Sequence, residues 1–466
     1  MTLAEKSDLF FVKDKNFYKL LFTIAVPVAL QSLLSVAVNL ADNVMVSSLG
    51  DTSFSSVAMA NQFTVFLSYF IRGICGAASL MISQYWGKKD LNSVRQLFTV
   101  VLRFSMTIIT IIALLVRAFP EIAMGIFVKD EQMLRIGSQY LSIVCFSFIF
   151  ATLADSIAAM FRSVEVVKIT FILTIISLST NVFLNYCLIF GRLGFPALGV
   201  KGAAIATVAA RFIEAMIAVC FLFRESKKVS YRFKHLFKSN KTLRNDFLRY
   251  GLPVILGDMQ WGLVGFCKAI PVGRLGELMV AANSIAETIM SLFFSFTTGM
   301  ANAACVIIGK SVGEGDRRKT VLYSRTIQIL FAIIGIALAT LLFVFRRVPV
   351  SFYADLTNDA RDLAVKFLGI GAISLAGTAY HASCFTGINR GAGDTRFVFV
   401  IDLLCGWLLV VPFTFIFGLK LAAPLTVVYF CTKIDQFIKW IFAALRLNIN
   451  TKWIKNLTKD VSEIEQ

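Results

Sequence analysis

Apolar residues in this chain collect in long stretches, at 18–44, 53–84, 96–116, 136–161, 169–190, 199–223, 249–272, 279–309, 322–345, 363–388, 397–417 and 421–445. A helix needs roughly 20 residues to cross about 30 Å of hydrocarbon, and these stretches are long enough. In lipid the backbone must satisfy its own hydrogen bonds, and such lengths suit helices rather than the alternating strands of about 10 residues that build a barrel. The pattern predicts an all-α polytopic membrane protein with twelve transmembrane helices. Residues 119–134 mix apolar and acidic positions and predict an interfacial element between the third and fourth helices.

The two halves repeat. An ungapped shift of 226 residues places Pro27 on Pro253, Leu49-Gly50 on Leu275-Gly276 and Asp51 on Glu277. The same shift places Gly73 on Gly299, Gly87 on Gly313 and Asp90 on Asp316. Proline, glycine and acid at one fixed offset are hard to obtain by accident in an apolar chain. An even number of helices per half gives both halves the same orientation, with a pseudo-twofold along the membrane normal. The expected organisation is an N-lobe at 1–223, a basic inter-lobe linker at 224–248, a C-lobe at 249–446 and a C-terminal tail at 447–466. Substrate is expected between two lobes that rock. The fixed shift also sets Lys268 opposite Asp42, a reversal of charge at equivalent sites.

Composition agrees: 57% of residues are hydrophobic and 16% charged, against about 25% charged in soluble domains. The net charge of +18 is better read as topology than as affinity for nucleic acid. With the N-terminus inside, 29 Lys and Arg fall in the inside segments and 11 outside. The positive-inside rule then places both termini in the cytoplasm of a bacterial inner membrane. Residues 1–17 show no cleavable signal pattern, so export is expected to begin with the first helix. The nine cysteines are scattered singly, without a CxxC pair, and read as packing residues.

A carboxylate at the bilayer centre costs roughly 2.5–3.5 kcal/mol on insertion scales, so intramembrane acids are candidate functional groups. They are Asp42, Asp155, Glu214, Asp258, Glu287, Asp402 and Asp435, with Arg72, Arg103, Arg211, Lys268, Lys433 and Lys439 in the same zone. Arg211 and Glu214 are three apart on one helix and can neutralise each other. Lys433, Asp435 and Lys439 read as a structural stripe or as snorkelling groups, and Arg103 and Lys268 as interfacial. Asp155 and Glu287 have no obvious local partner. Asp42 has the fullest surroundings: Asn39 and Asn43 share its helical face, and Pro27, which predicts a kink, lies about four turns earlier. A carboxylate on a bendable helix suits a gate driven by protons or sodium, because neutralising it biases bending. Asn181 and Asn185, with Thr180 beside them, form a complementary face. The blander reading of all these groups is interhelical hydrogen bonding.

Several of these segments resemble the MATE family (multidrug and toxic compound extrusion). They are Ala25-Val-Pro27 with Asp42-Asn-Val-Met-Val-Ser-Ser-Leu49-Gly50, then Asn181-Val-Phe-Leu-Asn185 and Leu198-Gly-Val-Lys-Gly202-Ala-Ala-Ile-Ala-Thr207. Gly251-Leu-Pro253, Val280-Ala-Ala-Asn283 and Gly391-Ala-Gly393-Asp394-Thr395 follow in the second half, in the family's order. The resemblance implies a twelve-helix antiporter expelling organic cations and drugs against Na⁺ or H⁺. It implies a cation-coupling site at Asp42, Asn181, Asn185 and Thr207, with Pro27 and Pro253 gating their helices. Many relatives carry Asp at the position of Asn185. NorM-like members place another acid in the seventh helix, for which Asp258 is the match, and one in the second half, answered by Asp394 or Asp402. Asp258, Glu287, Asp155 and Asp402 are thus the expected substrate or second-cation residues. The first-half loop Arg162-Ser-Val-Glu-Val-Val-Lys168 lacks the family's usual glycine.

The implied partners are the lipid bilayer and small cationic or amphipathic substrates, without nucleic acid. The chain is expected to act as a monomer, without a cofactor and without a metal beyond Na⁺. A flippase or exporter of lipid-linked or other amphipathic substrates is the alternative within the same superfamily, and it predicts a basic, hydrated cavity. A major-facilitator transporter fits poorly, because Gly87-Lys-Lys-Asp-Leu-Asn departs from that group's loop. An enzyme is not expected, since His235 and His381 stand far apart and no nucleophile or metal cluster accompanies them.

Overall fold

The computed structural model describes residues 11–126, 130–224, 229–237, 240–351 and 357–458, and every regular element among them is helical. The first half holds α1 (Lys15–Ser47), α2 (Asp51–Gly87), α3 (Leu91–Ala118), α4 (Glu131–Ser163), α5 (Lys168–Phe190) and α6 (Val200–Arg224). The second holds α7 (Leu252–Arg274), α8 (Glu277–Gly313), α9 (Arg317–Phe345), α10 (Asn358–Asn389), α11 (Thr395–Lys420) and α12, which is split into Leu425–Thr432 and Ile434–Ile449. All twelve predicted spans appear, and the interfacial element is the short helix Pro120–Gly125. Ile333, Ile336 and Val344 of α9 are more than half exposed, as apolar residues facing lipid should be.

The repeated residues have structural reasons. Asp90 and Asp316 are N-caps, accepting from the backbone N–H of Ser93 (3.0 Å) and Lys319 (2.9 Å), which satisfies donors left free at a helix start. Gly50 and Gly276 take φ of +97° and +94° at the turns into α2 and α8, a conformation that side chains disfavour. Gly87 and Gly313 are contact points. A Cβ on Gly87 would lie 2.0 Å from the Lys310 carbonyl oxygen, and one on Gly313 would lie 1.8 Å from that of Gln84. Positions 84 and 310 are themselves related by the shift, so one close crossing of α2 and α8 is made twice.

Two compact units emerge. One comprises Met1–Ala29, Ser83–Lys89 and Leu256–Gln466, and the other Leu30–Ile82 and Asp90–Ile255. Helix α1 therefore passes from one unit to the other after Ala29, and α7 after Ile255, each two residues beyond its proline. Within the first unit, Gly299 of α8 abuts the Ala29 backbone, and within the second, Gly73 of α2 abuts that of Ile255. Pro27 lies inside the continuous helix α1. Pro253 follows a π-helical turn at Phe247–Gly251, which re-forms hydrogen bonding around the missing N–H.

Gly313→Ala is expected to lower stability by about 1–3 kcal/mol or more, because the methyl group meets backbone rather than a movable side chain. Thermal unfolding of the detergent-purified protein reads this directly. A melting temperature equal to that of the wild type would mean that the α2–α8 crossing relaxes freely.

The linker and tail differ from simple connectors. In the linker, Phe233–Phe237 and Lys241–Asp246 are helical. Tyr231 meets Thr99 through their hydroxyls at 2.7 Å, and Arg95 Nε donates to the Val229 carbonyl at 2.5 Å. In the tail, Trp453 is buried. The Lys455 N–H donates to the Ala392 carbonyl at 2.8 Å and that of Leu457 to Gln84 Oε1 at 2.9 Å.

Candidate functional site

Helix α6 packs along both α4 and α5. The α5–α6 pairing brings Thr207 opposite the amide face of α5. Asn185 Nδ2 donates to Asp42 Oδ1 at 2.7 Å. The Asn181 amide lies 2.8 and 3.1 Å from the two Asp42 oxygens and, with its nitrogen on that side, donates to both. Thr207 Oγ1 stands 3.4 Å from the other end of the same amide. All four residues implied by the family resemblance thus form one cluster within a single unit. Asn181 and Asn185 are buried and Asp42 is partly buried. Asn185 Oδ1 is buried with no hydrogen-bond partner among the described residues, an acceptor left without the partner that buried oxygens normally have. The side chains of Asn39 and Asn43 lie outside the described residues. Asp155 makes no ion pair or hydrogen bond among the described residues.

The acids of the second half are differently placed. Asp258 does not present a free carboxylate: Arg390 grips it at 2.5 and 3.2 Å, and both side chains are buried. Glu287, which has no local partner along the sequence, has a distant one: Lys433 Nζ reaches its Oε1 at 2.7 Å. Sequence distance hid this pair, since α8 and α12 meet only in the folded chain. Asp402 pairs with Lys439 at 2.8 Å, and Lys439 also reaches Asp435 at 3.1 Å. Lys439 lies over the Trp261 ring at 3.8 Å, and its side chain is only 3% exposed, so it does not snorkel. Gln436 extends the network, donating to Asp435 Oδ2 and lying 2.6 Å from His381 Nε2. Asp394 is held by Arg446 and Lys455 at 2.8 and 2.6 Å. Arg211 and Glu214 neutralise each other as expected, at 2.8 Å. Arg103 donates to the Leu236 carbonyl. The hub at Lys439 escaped sequence reasoning; its only local sign was the i, i+4 pair with Asp435.

Twelve apolar helices, with most of the buried charges of the second half paired among the described residues, define a polytopic membrane protein. The chain belongs to the MatE family, whose model matches residues 27–187 and 253–416, more than half of the length. A relative described as a probable multidrug resistance protein NorM, from Rhizobium meliloti (strain 1021), is 24% identical over 441 residues, covering 91% of each chain. Among solved structures, a mutant of the Vibrio cholerae MATE transporter VcmN matches with a TM-score of 0.84 at 15% identity, over 94% of this chain and 99% of that one. A MATE structure in the bent conformation matches with a TM-score of 0.81 at 18% identity, over 92% and 95%.

Proposed function

We propose that the protein is a secondary active antiporter that exports organic cations and other drugs in exchange for Na⁺ or H⁺, by alternating access of its two lobes. The observation that supports this reading is the cluster of one carboxylate, two amides and a hydroxyl around Asp42. Ionised Asp42 is acceptor-only and takes N–H groups from Asn181 and Asn185. A proton makes one of its oxygens a donor, which the Asn181 amide accommodates by turning its oxygen toward the carboxyl group. A sodium ion instead finds oxygen ligands in Asp42, in the unpartnered Asn185 Oδ1 and in Thr207, a set suited to a hard cation. With asparagine at 185, the site holds a single carboxylate, which one monovalent cation neutralises. Loss of that charge removes the force on the two amide donors, and α1, which carries both Asp42 and Pro27, is the element it biases. The multidrug role of the NorM relative and the bent state described for a similar MATE structure agree with this reading.

The test is efflux of ethidium from proteoliposomes with a Na⁺ or an H⁺ gradient imposed separately. Export driven by one gradient and not the other is expected, and it identifies the coupling ion. Equal ethidium movement with and without either gradient would refute secondary antiport.

A further inference from the structure

A cavity of about 210 Å³ lies among α7, α8 and α12, within the unit that contains Leu256–Gln466. Its wall includes Lys268 and Val272 of α7, Asn283 and Glu287 of α8, and Thr432 of α12. Glu287 is already taken by Lys433 at 2.7 Å. Lys268 makes no ion pair or hydrogen bond among the described residues, nor does the Asn283 amide. The wall therefore carries one cation and one anion, and the anion is already engaged by Lys433 behind it, which leaves an ammonium and an amide to donate. A partly buried ammonium that no carboxylate contacts directly is costly, and such groups in membrane helices pair or mark a ligand pathway. Beside these donors the wall is apolar, formed by Gly265, Ala269 and Val272.

We infer that this cavity binds the carboxylate or sulfonate group of a small amphipathic molecule, through Lys268 and Asn283. The anion accepts from the Lys268 ammonium and the Asn283 amide, while an aromatic or aliphatic body covers the apolar wall. With Glu287 paired to Lys433, the single charge left over at Lys268 favours a monoanion, and the cavity is too small for a large drug to be enclosed whole. The repeat supports the assignment from a second direction: Lys268 occupies the position equivalent to Asp42. The duplicated fold thus presents a carboxylate in one half and an ammonium in the other, so the two sites select groups of opposite charge. The inference extends export of cations to molecules that also bear an acid, and its binding step requires no ion gradient.

The experiment is equilibrium binding of radiolabelled benzoate to the full chain in phosphatidylcholine nanodiscs, with phenyltrimethylammonium as the cationic counterpart. Wild-type protein is expected to bind benzoate with 1:1 stoichiometry. Lys268→Met is expected to weaken binding about tenfold or more, as loss of a charge-assisted hydrogen bond implies, while Lys268→Arg, which keeps the charge, retains it. The arginine variant guards against simple misfolding of the methionine one. Adding phosphatidylglycerol distinguishes the source of the anion. Loss of benzoate binding in wild type would assign the same Lys268 chemistry to a lipid head group, and unchanged binding would assign it to a soluble molecule. Benzoate binding that is absent, that is equal in Lys268→Met, or that phenyltrimethylammonium displaces would overturn the inference. Ethidium export that persists while benzoate fails to bind would sink this site alone and leave the antiport reading intact.

Discussion

Asp42→Asn is expected to abolish gradient-driven ethidium efflux, with a loss of about 100-fold, near the upper end of usual coupling between sites. The reason is that an amide cannot change charge. In the wild type Asp42 accepts from Asn185 and Asn181, and neutralisation alters that bonding. In the variant the site is locked in a state resembling the neutral carboxyl, so the gradient ion has no differential hold on either conformation, and a ligand that binds both states equally shifts neither. Passive ethidium binding should survive, because the substitution removes the coupling group rather than the fold. Asp42→Glu, which restores the charge one methylene further out, should recover part of the efflux. Normal coupled efflux in Asp42→Asn at wild-type expression would place the coupling group elsewhere, with Asp155, an intramembrane acid of the same half without an ion pair or hydrogen bond among the described residues, next in line.

The second large effect is on stability. Asp258→Ala strands the buried Arg390, whose guanidinium holds Asp258 through two hydrogen bonds and whose Nε already lacks a partner among the described residues. Removing one member of a buried ion pair leaves an uncompensated charge and costs about 3–5 kcal/mol, whereas replacing both members with apolar residues is often neutral. Thermal unfolding in detergent should therefore show a large fall for Asp258→Ala and recovery in the Asp258→Leu, Arg390→Met double variant. A neutral single variant would mean that the pair does not hold α7 to the end of α10. It would also return Asp258 to the group of acids free to meet a substrate.

These outcomes separate two kinds of acid that look alike in the sequence. Asp42 and Asp258 each lie on the first helix of a half, near amides or an aromatic ring. The difference is the partner. Asn185 is 143 residues from Asp42 and Arg390 is 132 from Asp258, so no local spacing tells a carboxylate met by neutral amides from one met by a guanidinium. The same holds for Glu287, whose lysine comes from α12, and for Asp402, whose lysine sits one helix further along the chain. The four residues around Asp42 were legible because the family resemblance carried them together; the i, i+4 spacing of Asn181 and Asn185 alone left bland hydrogen bonding equally open.

What the sequence by itself determined is the set of features fixed by distance along the chain. Twelve spans follow from apolar length, because a helix in lipid closes its own hydrogen bonds and needs no distant partner. The duplication follows from prolines, glycines and caps whose role is local: Gly50 and Gly276 set turns, and Asp90 and Asp316 start helices. Tertiary structure decided which charges meet. The burial of a carboxylate is tolerable only with a partner, and that partner is chosen by which helices pack. Packing also decided where the duplication stops being chemical. One close crossing of α2 and α8 is built twice from equivalent residues, yet the equivalent positions Asp42 and Lys268 lie in different surroundings. The first is held by amides, and the second borders a cavity without an ion pair or hydrogen bond among the described residues. Backbone geometry repeats because both halves share helix lengths and turns, while side-chain chemistry is set by neighbours that the repeat does not preserve.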